Sequence, residues 1–144
     1  MSTPLESVLK VWNRSRPNSP IYQFLLDDVE VYDASTGVVR ARLKVSDRHL
    51  NSKNSLHGSF SATVVDWAGG LAIASHGLDS TGVSTDIHVS YLSGAKLGDQ
   101  LEIEGRADKV GKSLAFTTVT ISKRGEDGQL VVVAQGSHTK YIRR

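Results

Sequence analysis

Residues 56–75 read LHGSFSATVVDWAGGLAIAS, and this run decides the fold. Twenty residues are too many for a typical strand and suit a helix. Phe60, Ala62, Val64, Val65, Trp67, Ala68, Leu71, Ala72, Ile73 and Ala74 put apolar or small side chains on nearly every side of it. A helix with no polar face belongs in an interior. It is not a membrane span, because His57, Asp66, His76 and several serines interrupt the apolar content of residues 54–78. The reading is a buried central helix over 56–76, with Trp67 as a core or interface anchor.

Upstream, Leu5, Val8, Leu9 and Trp12 keep the three-and-four spacing of a helix face, which closes at Arg16 before Pro17. This predicts a leading helix within residues 1–16. Alternation follows at Val29 and Val31 and again at Val39, Ala41, Leu43 and Val45, with the connection placed at Asp33–Gly37. Downstream of the central helix, residues 83–92, 100–110, 113–123 and 129–142 read as strands separated by Gly-rich turns. The order is helix, two strands, buried helix, four strands. Without a helix-strand-helix rhythm there is no doubly wound parallel sheet, and the class is α+β. The simplest architecture wraps about six antiparallel strands around the central helix, with a second copy covering the remaining face or edge.

The composition fits one domain: 144 residues, 39% of them hydrophobic. Seventeen Lys and Arg against 15 Asp and Glu leave a net charge of +2, too balanced for a dedicated nucleic-acid binder. The absence of cysteine removes thiolate zinc sites, disulfide scaffolds and cysteine nucleophiles. Lys10, Arg14 and Arg16 make the first helix slightly basic, a feature shared with mitochondrial transit peptides, but Glu6 and the short length count against one. The expected compartment is cytoplasmic, with mitochondrial as the alternative, and no membrane insertion is expected.

Between Lys53 and Asp79 the one charged side chain is Asp66, in the middle of the most apolar helix. A buried carboxylate must be paired, hydrogen-bonded or turned to a cleft, so Asp66 is either structural or functional. The polar loop Asn51–Gly58 runs straight into the helix. Free N–H groups at a helix start stabilise a developing oxyanion, although Ser55 or Asn54 could simply cap the helix there. Lys109, Lys112, Lys123 and Arg124 flank hairpin turns, where solvated charge is usual, and Lys140, Arg143 and Arg144 read as a solvated tail.

His57-Gly58, then Asp66 in a small-residue helix, then Gly82–Ile87, the Tyr91–Asp99 turn, Lys109–Thr117 and Gly136–Lys140 form an ordered set. In this order they resemble the hotdog-fold thioesterases, within them the acyl-CoA thioesterase 13 type, close to the phenylacetate-pathway group. The resemblance covers nearly the whole chain. It implies hydrolysis of acyl-CoA to a carboxylic acid and free coenzyme A. Asp66 would orient or deprotonate water, with the Ser84 hydroxyl reaching in from the partner subunit. Asn51 and the Gly58 N–H would polarise the thioester carbonyl, and His57 would help position it. Tyr91, Lys109, Val110, Gly111, Lys112, Ser113, Leu114 and His138 match positions that contact coenzyme A.

The resemblance further implies at least a homodimer and in full a homotetramer, with no metal and no cofactor, coenzyme A being part of substrate and product. Two residues depart from the family pattern: Ser59 stands where a second glycine is usual, and Asn54 where the preceding loop often has glycine. Asn tolerates a left-handed backbone there. Two rivals stay open. One is an enoyl-thioester hydratase or dehydratase, the other a non-catalytic acyl-CoA-binding or scaffold subunit.

Overall fold

The computed structural model describes residues 1–143, so the tail reading of Arg144 lies outside the described residues. Helix α1 spans Pro4–Ser15. Thr3 accepts from the Glu6 N–H at 3.1 Å and its own N–H donates to Glu6 at 2.9 Å, a reciprocal cap that starts the helix with Pro4 in its first turn. A single 3₁₀ turn, Arg16–Asn18, leads to a short second helix, α2, at Pro20–Leu25. The sequence reading passed over α2, although Ser19-Pro20 carries the same cap-and-proline start.

Strands β1 (Glu30–Ser35) and β2 (Val38–Lys44) form a hairpin tighter than expected. Pairing continues through Asp33↔Arg40 to Ser35↔Val38, so the turn shrinks to Thr36 and Gly37, with Gly37 at φ 85°. Helix α3 runs from Gly58 to Ala74, within the expected span. Strands β3 (Val83–Tyr91), β4 (Gln100–Val110), β5 (Leu114–Arg124) and β6 (Leu130–Tyr141) complete one antiparallel sheet of order β1-β2-β4-β5-β6-β3.

Alternation decides which side of the sheet meets α3. Val39, Ala41 and Leu43 of β2, Leu101 and Ile103 of β4, and Val119 and Ile121 of β5 are buried, together with Phe60, Val64, Val65, Ala68 and Ala72 of the helix. Each large apolar side chain so buried contributes about 1.5–3 kcal/mol relative to exposure. Small residues let the helix lie close. A Cβ on Gly136 of β6 would stand 2.5 Å from Val65, and one on Gly105 of β4 would stand 2.6 Å from the Ala68 carbonyl oxygen. Helix α1 covers the flank of α3, with Trp12 and Trp67 edge-to-face at 5.3 Å. Trp67 is thus a core anchor, as its position suggested.

Candidate active site

Asp66 sits two turns into α3 and is only partly buried, on the side of the helix that meets β3. The Ser84 hydroxyl, from the second residue of β3, donates to Asp66 Oδ1 at 3.2 Å. The contact expected across a subunit boundary is therefore formed within one chain, because β3 runs beside α3. Tyr22 of α2 donates to Oδ2 at 3.4 Å. Below them, His138 Nε2 lies 2.7 Å from Ser84 Oγ and 3.6 Å from Asp66 Oδ1. An ionised carboxylate only accepts, so Ser84 must donate to it. The Ser84 oxygen is then left to accept from His138 Nε2–H. The relay runs from imidazole to hydroxyl to carboxylate.

The electrostatics fit a neutral imidazole. Burial pulls His138 below the ordinary histidine value, with the Lys140 charge acting in the same sense and the Asp66 charge opposing it. Burial, reinforced by Asp66, pushes the Tyr22 phenol well up, so it remains a donor. The reading of His138 as a coenzyme A contact is corrected: it is 1% exposed, because residues 134, 136, 138 and 140 of β6, and Ile142 just after it, all face inward. Lys140 likewise is 5% exposed rather than part of a solvated tail. That period-two alternation was the sequence signal for both.

At the other end of α3, His57 is the N-cap, displacing Ser55 and Asn54 from that role. Its Nδ1 accepts from the Ser59 N–H at 3.0 Å and lies 2.7 Å from the Ser59 hydroxyl. Gly58 is the first helical residue, where a backbone N–H has no partner within the helix. Its carbonyl accepts from the Tyr91 hydroxyl at 2.8 Å, and a Cβ at 58 would meet that ring at 3.3 Å. Asn51 Oδ1 accepts from the Lys53 and Ser55 N–H groups and shapes the loop, leaving its amide NH₂ for other use. Asn54 adopts φ 61°, the left-handed backbone that asparagine tolerates.

His49 braces this end. Its Nδ1 accepts from the Ser46 N–H at 3.0 Å, which leaves Nε2–H to donate to the Leu25 carbonyl at 2.8 Å, while its ring packs on Phe60. An apolar groove of about 460 Å³ opens beside it, walled by Ile21, Phe24, Leu50, His57 and Phe60. A second cavity, of about 270 Å³, lies against Asp66.

Lys109, Val110, Gly111, Lys112, Ser113 and Leu114 lie at the β4–β5 turn, with both lysines exposed. The turn closes through Gly111 N–H to the Leu114 carbonyl at 2.8 Å. Ser84 faces Lys140 and Lys140 faces Ala115 across the ladder, so the turn begins about 10 Å from Ser84 at roughly 4.8 Å per strand. The cationic turn and Asp66 therefore share one end of the sheet. Among the described residues, no group of three His, Asp or Glu could hold a metal, and no helix is long and apolar enough to cross a membrane.

Comparison with known proteins agrees with this architecture. Residues 53–132 match the family model described as thioesterase superfamily. Human acyl-coenzyme A thioesterase 13 is 34% identical over 142 residues, covering 99% of this chain and 96% of the human protein. The crystal structure of zebrafish thioesterase superfamily member 2 superposes with a TM-score of 0.82 at 33% identity, covering 98% of this chain and 99% of that one. A hypothetical thioesterase from Streptococcus pneumoniae, solved with coenzyme A, gives 0.72 at 28% identity over 82% of this chain and 93% of its own. With the family model matching more than half of its length, and an antiparallel sheet packed on α3, this chain belongs to the thioesterase superfamily and is a thioester hydrolase.

Proposed function

We propose that this protein hydrolyses acyl-CoA to a carboxylic acid and free coenzyme A, using a site assembled from two copies of the chain. The observation that carries the reading is the Asp66 carboxylate, held by Ser84 and Tyr22 and open on one side to a cavity. Asp66 orients the attacking water and takes its proton as the tetrahedral intermediate forms. Ser84 fixes the carboxylate by donating to it. The oxyanion needs donors at about 3 Å. The Gly58 N–H at the helix start and the free amide of Asn51 provide them.

Gly58 and Asp66 are eight residues apart on α3, about 12 Å at 1.5 Å per residue. The resemblance, in which the partner subunit supplies part of each site, supports the Gly58 turn of one copy working with Asp66 of another. Strand β3 offers the means of pairing: it is a sheet edge and exposes Val83, Ile87 and Tyr91. The assembly is at least a homodimer, and following the resemblance two such dimers form a tetramer.

Coenzyme A lies along the β4–β5 turn, where Lys109 and Lys112 meet its phosphates. The reaction runs without a metal or other cofactor. Release of free thiol from a panel of short, long and aryl acyl-CoA esters tests the activity. Asp66→Asn is expected to lower kcat by about 10²–10⁴-fold with the fold intact by circular dichroism. Undiminished turnover would remove Asp66 from the mechanism.

A further inference from the structure

The cavity beside Asp66 holds a cation that the hydrolysis does not use. It is walled by Arg14, Ser15, Tyr22, Asp66, Thr81 and Lys140, among others. Lys140 is 5% exposed, and among the described residues its ammonium makes no hydrogen bond and no ion pair within 4 Å. A Cβ on Gly70 would stand 3.4 Å from that Nζ, so glycine there leaves the ammonium at the wall of the cavity. The side chain is buried while its ammonium opens on the cavity, where it has no bonded partner among the described residues. Burial lowers the Lys140 pKa from its ordinary value, and only the more distant Asp66 charge opposes this. Arg14, whose guanidinium donates to the Asp79 carbonyl, adds a second positive charge to the same cavity. Two cations face one carboxylate, and the space between them is lined by hydroxyls.

We propose that this cavity receives the far end of the acyl group and selects acyl groups that end in an acceptor oxygen, a carboxylate above all. The proposal rests on the acyl-CoA hydrolysis argued above. Lys140 Nζ donates to the terminal oxygen, and Arg14 closes the mouth. The cavity, of about 270 Å³, has room for a six-carbon chain ending in a carboxylate. The specificity is then for ω-carboxyacyl thioesters, with ω-hydroxyacyl thioesters next.

Steady-state hydrolysis of adipoyl-CoA, ω-hydroxyhexanoyl-CoA and hexanoyl-CoA tests this at constant chain length. The expected kcat/KM for adipoyl-CoA exceeds that for hexanoyl-CoA by about tenfold, with the hydroxy ester between them. Lys140→Met is expected to abolish that advantage while hexanoyl-CoA turnover stays within about twofold. Arg14→Gln, at an exposed position, is expected to lower the adipoyl-CoA value alone by about threefold, and it decides the matter if Lys140→Met does not fold. Equal or faster hydrolysis of hexanoyl-CoA by the parent protein would overturn the proposal and turn attention to the apolar groove. So would a Lys140→Met protein that loses the same factor on all three esters, which is the mark of a structural role. Hydrolysis of none of a wider acyl-CoA panel would instead defeat the hydrolase reading, and the proposal with it.

Discussion

Asp66 gains its role from three neighbours that lie far from it in sequence. Its isolation between Lys53 and Asp79 singled it out, because one carboxylate in so apolar a helix must be held by something. The resemblance named Ser84 as one of the groups that hold it; the other two were not read as its neighbours. Tyr22 arrives on α2, a helix of six residues too short to show periodicity, and His138 and Lys140 sit in a stretch that reads as polar until its alternation is followed to Ile142. A consequence for pH follows. His138 and His49 both have pKa values lowered from 6.5, with burial the leading cause. The unfolded chain therefore takes up these protons first. Their contribution to stability is full above about pH 6.5 and is lost as pH falls through the lower folded values. Thermal unfolding midpoints measured from neutral to acidic pH should fall below that point. His138→Gln should reduce the slope without removing it, because His49 carries the same sign. A midpoint that rises on acidification would contradict the neutral-imidazole relay.

At the scale of elements, α3 was the most readable part of the chain and α2, which the sequence reading passed over, the least. The long apolar run left no other assignment, whereas the β1–β2 turn was placed too early because Asp33–Gly37 looks turn-like throughout. Cross-strand pairing wins over those local preferences, and Arg40 meets Asp33 at 3.3 Å across the ladder. The close seat of α3 on the sheet depends on Gly136 beneath Val65. Gly136→Ala should destabilise the protein by about 1–3 kcal/mol, since the stiff Val65 has to yield against a well-packed core. A urea midpoint equal to that of the parent would show that the interface is looser than described. In the proposed function the β4–β5 turn binds coenzyme A. Lys109→Ala or Lys112→Ala should raise KM for CoA esters about three- to tenfold with kcat little changed. An unchanged KM would remove these lysines from coenzyme A binding.

For the molecule as a whole, sheet order sets what a single chain can do. β3 lies at the edge, paired to β6 on one flank and to no strand on the other among the described residues. It also carries Ser84 near one end, against Asp66 in the middle of α3, and Tyr91 at the other, against the first residue of that helix. In the proposed dimer, a second copy paired antiparallel along this edge would bring the Gly58 turn of one helix toward Asp66 of the other. The order of motifs along the chain names both proposed halves of the site, but not which copy supplies each. That places the central claim in reach of one mixing experiment. Gly58→Pro removes the N–H at a first-turn position that accepts proline, preceded by His57 at φ −70° and ψ 135°, a backbone suited to precede it. Gly58→Pro and Asp66→Asn proteins, each inactive alone, are dissociated, mixed in equal amounts and reassociated, and acyl-CoA hydrolysis is measured. Mixed dimers hold one intact site each, so the account predicts recovery to about a quarter of the parent activity. A mixture no more active than the mean of the two variants would contradict a site shared between copies.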